Sequence, residues 1–439
     1  MSNIFNFDSL SKIVTVLVII ISAIVLKFSY NYLKIDKDRN KFLFQIILIS
    51  ISLITTFSTN NTIIFFFSWA ASNLLLVKLM IYKKSWNQAV FSGLKALKNF
   101  AIGFVCLFAA LVILYFETGS FEITNIMTSD NISKSGLVTS SILLVITALS
   151  QSAIFPFHSW IISSLNSPTP ASAFMHAGLV NGGGILLARF APLLLKVPEV
   201  LVFVFAMGIF SAIIGTLWKL IQSNVKSMLV FSTISQMGFM MAQCGMGLFP
   251  AAIAHLFWHA MFKSYLFLSS PSTWQEKRLD LRYPPMSSVF ILSLICGSIG
   301  ALIFAEINNI KVGNMDTTLI LVAVCFIAAS QVSLTIMNKS PIKNIVPALI
   351  LSSTMSATYA ASVVFIEKIM SDSIFNPQDL NLWHFGAIIF LFLAWVIRLF
   401  WVSSAQQNEI FLKIYVRLLN ASQPEAKTIT ANRNQYNYK

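Results

Sequence analysis

Residues 151–190 read QSAIFPFHSWIISSLNSPTPASAFMHAGLVNGGGILLARF. The stretch is apolar enough to lie at membrane depth, yet it carries Pro156, Pro168 and Pro170. Proline removes a helix donor and disfavours helix in the residue before it. The apolar run that begins near Leu137 is therefore expected to break at Pro156, with its second half running toward a helix that opens near Pro170. A broken helix is tolerated inside a bilayer only where protein or a water-filled cavity surrounds it. That is a first pointer to transport.

The same reading extends along the whole chain. A spanning helix needs about 20 apolar residues. About thirteen such runs begin near Lys12, Phe42, Thr62, Phe100, Leu137, Pro170, Val200, Val225, Pro250, Pro285, Thr317, Asn344 and Trp383. Composition agrees. Of 439 residues, 56% are hydrophobic and 10% charged, and the mean hydropathy is +0.77, where a soluble domain carries about 25% charged residues. This excludes a soluble enzyme, a disordered chain and a nucleic-acid-binding domain, and it implies an all-α polytopic membrane protein. The first apolar run lacks a small-residue cleavage site and leads into a basic loop, so it reads as a retained span rather than a signal peptide. Three regions follow: 1–40, a first helix and basic loop; 41–403, the transmembrane core; 404–439, a polar tail. The tail carries Lys413, Arg417, Lys427, Arg433 and Lys439. It could form an amphipathic surface helix followed by a disordered end, and it reads either as a docking site or as a plain solvated tail.

Charge sets an orientation. With thirteen spans, the odd connections hold 34–41, then Lys83, Lys84, Lys95 and Lys98, then Lys219 with Lys226, then 276–282, then Lys339 and Lys343. All are net positive except the charge-free 156–169. Of the even ones, 117–136 and 367–382 are net negative, and only the stretch around Arg189 and Lys196 is positive. By the positive-inside rule the odd loops and the tail are cytoplasmic and the N-terminus is periplasmic. The net charge of +14 is accounted for by these loops and needs no nucleic acid.

Ionisable side chains at membrane depth are costly and by default mark ion or proton paths. In AHLFWHAMFKSYLFL, residues 254–268, His255, His259 and Lys263 recur at i, i+4 and i+8. They share one helix face over about 12 Å. A neutral imidazole both donates and accepts, so such a row can pass a proton through intervening waters. Removal from water makes a lysine's proton easier to release. The competing reading has the histidines bonded to neighbouring helices and the lysine paired with a carboxylate. His176 opens HAGLVNGGGILLARF, where it reads either as a path residue or as a satisfied core histidine. His158 could cap the second part of the broken segment. Lys226 opens the run at Val225, and Lys78 lies one turn before Lys83 and Lys84. Both could snorkel to the interface. Glu306, in ALIFAEINN, is the best membrane carboxylate but sits near the end of its run. Cys106, Cys244, Cys296 and Cys325 lie in apolar runs with no metal-ligand spacing, and no Gly-rich phosphate loop is present. No metal and no cofactor are expected.

Taken in order, QSAIFPFHSWIISSLNSPTPASAFMHAGLVNGGGILLARF, NVKSMLVFSTISQMGF and HLFWHAMFKSYLFL resemble the signatures of the antiporter-like subunits of respiratory complex I and the Mrp antiporters. The match covers about residues 145–270, with 40–120 weaker. His176 followed by AGLVNGGG, the run STISQMGFMMAQCGMG and the region FSWAASNLLLVKLMIYKK resemble more narrowly the DabB-type membrane subunit of the inorganic-carbon accumulation complex. The resemblance implies two inverted five-helix repeats, each with one broken helix. These would be the fifth span and the tenth, PPMSSVFILSLICGSIGALIFAEINN, and about two N-terminal helices of the full family would be lacking. It implies an ion path through His176, Lys226, His255, His259 and Lys263, which sit at matching positions. It also implies a large soluble partner of the DabA type, resembling a zinc β-carbonic anhydrase, on the cytoplasmic face of a bacterial inner membrane. The coupled ion would be H+ or Na+, and the chemistry would lie in the partner, not in this chain. Two departures stand out. Pumping members carry a lysine where this chain has Gln151, and a glutamate after the tryptophan where Ala70 follows Trp69. No clear lysine stands in the tenth span. The first half-channel therefore reads as incomplete, which leaves three functional readings: ion-coupled carbon uptake, a complex I- or Mrp-type pump, and a non-conducting anchor for the partner.

Overall fold

Apolar runs fold as helices in a bilayer because every backbone N–H and C=O must then find its partner within the segment. The computed structural model describes residues 4–271, 284–311, 313–337, 343–370, 377–400 and 409–429. The basic stretch 276–282, Lys339, Arg433 and Lys439 lie outside them. In chain order the helices are α1 (Ser9–Tyr32), α2 (Arg39–Ser58), α3 (Thr62–Met80), α4 (Asn87–Thr118), α5 (Ile123–Thr128), α6 (Lys134–Gln151), α7 (Ser159–Ser163), α8 (Thr169–Ala177), α9 (Gly182–Arg189) and α10 (Ala191–Leu194). They continue with α11 (Pro198–Leu220), α12 (Val225–Gly245), α13 (Phe249–Ser269), α14 (Ser287–Ile307), α15 (Thr318–Met337), α16 (Ile345–Ile369), α17 (Leu382–Phe400), α18 (Glu409–Ala421) and α19 (Ala426–Ile429). Among the described residues the only β pairing is in isolated bridges such as Asn61 with Glu122.

Eleven of these segments are long and apolar enough to cross a membrane, α8 and α9 counting together as Thr169–Arg189. The helices α12 and α13 have 21 residues each but are less apolar than the eleven, because they carry Lys226, Gln236, Gln243, His255, His259 and Lys263. Most expected starts agree with the observed ones to within a few residues. The exception is α4, expected at Phe100 and observed from Asn87. Its 32 residues span about 48 Å, well beyond a hydrocarbon core of about 30 Å, so its first turns, with Lys95 and Lys98, extend past the apolar run.

The chain divides into two compact units. The first comprises Met1–Gly245, His255–Trp274 and Leu419–Lys439. In it α11 and α12 run antiparallel with their backbones in close approach. A Cβ on Gly208 would stand 2.4 Å from the Ala242 nitrogen, and one on Gly238 2.5 Å from the Ala212 nitrogen. Only glycine permits that spacing, which gains dispersion contacts where lipid supplies no hydrophobic drive.

The expected break is present, and its freed groups are satisfied. Between α6 and α7 the Phe155 N–H donates to Ser211 Oγ at 3.2 Å. The Ser150 carbonyl accepts from Asn99 Nδ2 at 3.0 Å and Trp160 Nε1 at 3.3 Å. The sequence reading did not foresee a second interruption, between α8 and α9 at Gly178–Asn181, where Gly178 adopts φ −110°, ψ −82°. The two breaks satisfy each other: Gln151 Nε2 donates to the Leu179 carbonyl at 3.1 Å and Ser152 Oγ to that of Val180 at 2.7 Å.

The second unit comprises Met246–Ala254 and Gln275–Leu418. Its helix α14 corrects one expectation. The tenth run, expected to hold the second broken helix, is continuous from Ser287 to Ile307. Its prolines, Pro284 and Pro285, precede the helix. Inside it, Gly297 and Gly300 pack against Ser330 and Ser356 and leave the ladder intact. Leu334, Trp395 and Leu399 form a local core, with Trp395 Nε1 bonded to Gln331 Oε1 at 2.8 Å.

Candidate ion path

The residues singled out by spacing on α13 do share a face. The rings of His255 and His259 lie 6.3 Å apart and nearly parallel, at 12°. Lys263 continues the row and is fully buried. Its Nζ donates to Ser232 Oγ at 2.7 Å and to the Leu229 carbonyl at 3.1 Å. Leu229 and Ser232 follow Lys226 by three and six residues on α12, so they carry the row toward Lys226 along one side of that helix. His176, on α8, stacks on Phe267 at 4.3 Å and 14°, one turn beyond Lys263. Four of the five expected path residues, His176, His255, His259 and Lys263, thus gather around α13, and Lys226 stands at the start of α12.

Burial and bonding weigh the two readings of this row. Among the described residues no carboxylate lies within ion-pair distance of Lys263. Both ring nitrogens of His176 and of His259 are buried without a protein hydrogen-bond partner, as is Nε2 of His255. The other nitrogen of His255 meets the Gln236 carbonyl. Buried polar atoms are ordinarily paired. Histidines that serve only to tie helices together would show those bonds, and His176 and His259 show none to protein.

Lys226 Nζ donates to the Ser167 carbonyl at 3.1 Å, beside the Pro168 that opens α8. Two cavities meet at this lysine. One, of about 260 Å³, also touches Asn166, Gln222 and Ser422–Pro424. The other, of about 360 Å³, also touches Asp36, Tyr82, Lys83 and Trp86. The tail borders the first cavity: Gln222 Nε2 donates to Ser422 Oγ at 3.0 Å, Asn166 Nδ2 to the Thr428 carbonyl, and Lys95 pairs with Glu425 at 3.2 Å. Residues 422–428 of the tail are thus docked on this chain's own helices rather than solvated.

The weaker candidates fall elsewhere. Lys78 is exposed in the last turn of α3, and Glu306 is exposed in the last turn of α14. His158 makes no side-chain cap; its ring stacks on Phe155 and on Trp218 at 4.8 Å. Gln151 is buried, with Nε2 bonded to Asn73 Oδ1 at 3.1 Å as well as to Leu179. Sequence reading missed Asn73, although it lies one helical turn past Trp69 and Ala70. Where the resemblance implies a lysine, the structure holds Gln151 in a neutral amide pair with Asn73, which lies three residues past Ala70, the position of the implied glutamate. Gln151→Leu is therefore expected to cost about 1–3 kcal/mol of stability, because it strands Asn73 and the Leu179 carbonyl, yet to leave ion flux per folded molecule unchanged. A thermal melt in detergent read beside a vesicle flux assay checks both halves.

Residues 59–283 match the family described as NADH:quinone oxidoreductase/Mrp antiporter, transmembrane. The chain is 33% identical over 285 residues to the protein named "Probable inorganic carbon transporter subunit DabB" of Bacillus anthracis, covering 62% of this chain and 54% of that one. It is 32% identical over 302 residues to the DabB subunit of Bacillus subtilis, covering 67% and 60%. The chain thus spans little more than half the length of the relatives it matches. Its fold is similar to that of a chain in the Mrp complex of Dietzia sp. DQ12-45-1b, with a TM-score of 0.67 and 21% identity, over 96% of this chain and 51% of that one. The matched region holds the broken helix, the α13 row and Lys226, and the chain belongs to the NADH:quinone oxidoreductase/Mrp antiporter transmembrane family.

Proposed function

We propose that this chain is the cation-conducting membrane subunit of a two-component inorganic-carbon transporter of the DabB kind, seated in a bacterial inner membrane. The observation that carries the reading is Lys263, a fully buried lysine with no carboxylate partner among the described residues, in line with a buried His259 and a half-buried His255. A proton, or Na+ in its place, enters from the periplasmic side near His255. It passes His259, Lys263 and His176 and leaves by Lys226 to the cytoplasmic cavities. The membrane potential supplies about 2.3 kcal/mol per charge per 100 mV. That is enough to shift a two-state equilibrium in a soluble partner by roughly fortyfold, at tenfold per 1.4 kcal/mol. The partner, a DabA-type protein resembling a zinc β-carbonic anhydrase, performs the hydration of CO2 to bicarbonate. Relatives named DabB support this reading. The neutral Gln151–Asn73 pair weighs against a complete pump of the complex I or Mrp kind.

The test is accumulation of 14C-bicarbonate and CO2 in cells lacking carbonic anhydrase. Uptake is expected only when this chain and its soluble partner are expressed together, and it should collapse with an uncoupler. Uptake that survives the uncoupler would make the chain an anchor. No uptake with both subunits present would return the pump reading.

A further inference from the structure

A path that ends at Lys226 still has to exchange its ion with water through a face crowded with lysines and arginines. The 360 Å³ cavity beside Lys226 brings together Tyr32, Asp36, Tyr82, Lys83, Trp86 and Lys226, with residues 165–169 completing the wall. Asp36 is the only carboxylate on it among the described residues, and the 260 Å³ cavity on the other side of Lys226 has none. Asp36 sits in the turn between α1 and α2, half-buried. It is fixed there by the Asp38 N–H, which donates to its Oδ1 at 3.0 Å. Around it the connection carries Lys34, Lys37, Arg39 and Lys41, whose joint field repels a cation.

Resting on the ion-path reading above, we infer that Asp36 is the group through which the Lys226 end of the path exchanges its proton with the aqueous phase. A fixed carboxylate offsets the positive field at the one place where a proton has to cross it, and it accepts and releases that proton through the cavity. No bond other than O–H or N–H forms or breaks: the proton moves between Lys226 Nζ, water and an Asp36 oxygen. The carboxyl group is held below the usual carboxylate range by the Asp38 N–H, with the Lys83 charge acting the same way against its partial burial. It is therefore ionised at neutral pH and acts as a relay rather than a store. The titratable groups that face it are Tyr82 and Lys83, with Asp38 beside it and Tyr32 and Lys226 across the cavity.

The experiment is potential-driven proton flux through the full chain in proteoliposomes, measured at low and at high concentration of a small membrane-permeant buffer. Asp36→Asn is expected to lower flux at least about tenfold at low buffer, within the range of a positioned proton-transfer group. High buffer should restore it toward wild type, and Asp36→Glu should behave as wild type throughout. Buffer rescue separates a lost proton exchanger from a misfolded protein, which no buffer restores. Equal flux in Asp36→Asn and wild type at low buffer, with Lys263→Ala inactive, would overturn the inference and leave the path reading standing. A loss in Asp36→Asn that buffer does not relieve would likewise overturn it. No flux through wild type would overturn both.

Discussion

Lys263→Ala is expected to abolish ion-coupled carbon accumulation, with a loss of at least about 100-fold, in line with removal of a positioned proton-transfer group. Lys263 is the junction of the row. It follows His259 on α13, and its Nζ reaches the α12 face that leads back to Lys226. The loss should not come from unfolding. No carboxylate among the described residues is left unpaired by the change, and the Ser232 hydroxyl and Leu229 carbonyl that lose a donor cost about 1–3 kcal/mol. Lys263→Arg separates two roles. Arginine keeps the charge but does not release its proton in a protein. An inactive arginine variant means that Lys263 itself gives up and regains a proton, while an active one means that its charge alone is needed. The readout is 14C uptake with protein level measured on the same membranes.

The largest stability effect is expected at the other end of α9. Arg189, whose side chain is 5% exposed, pairs with Asp8, which is 38% exposed, and its Nη2 also donates to the Thr59 carbonyl at 3.3 Å. Asp8 caps α1 as well: it accepts from the Ser11 N–H at 2.8 Å and from the Ser11 hydroxyl at 2.6 Å. Asp8→Ala leaves a buried guanidinium without its counter-charge, which costs about 3–5 kcal/mol, and removes a cap worth about 1 kcal/mol. The exposure of Asp8 places the total toward the low end. Adding Arg189→Leu should recover most of the loss, because removing both charges of a buried pair is close to neutral. Thermal unfolding of the purified protein in detergent decides this. A melting point unchanged by Asp8→Ala, or a double variant no better than the single, would contradict it.

What could be read from the sequence was what local pattern encodes. The start of α3 at Thr62 and of α12 at Val225 follow from where apolar runs begin, and the i, i+4, i+8 row follows from helical period alone. Pro156 announced its break because proline acts on its own backbone. The unread features depend on partners distant in the chain. The break at Gly178–Asn181 exists because Gln151 and Ser152 take up its carbonyls. Asn73 matters only because Gln151 reaches it, and Arg189 read as a loop charge until Asp8 was seen beside it. The start of α4 was missed because hydropathy registers the bilayer rather than the helix, and the polar turns from Asn87 continue beyond the apolar zone. The continuous α14 shows the converse limit. Resemblance placed a break where no proline or unpaired backbone group within this chain's helix requires one.

Ions are expected to cross this chain by way of Lys263. The most direct measurement is proton entry into proteoliposomes of the purified full chain under an imposed membrane potential, with and without Na+, for wild type and Lys263→Ala. The account predicts entry through wild type above that of empty vesicles, and none above background through Lys263→Ala. If Na+ is the coupled ion, that difference appears as Na+ entry instead. Equal entry of both ions through the two proteins, or no entry of either through wild type, would contradict it.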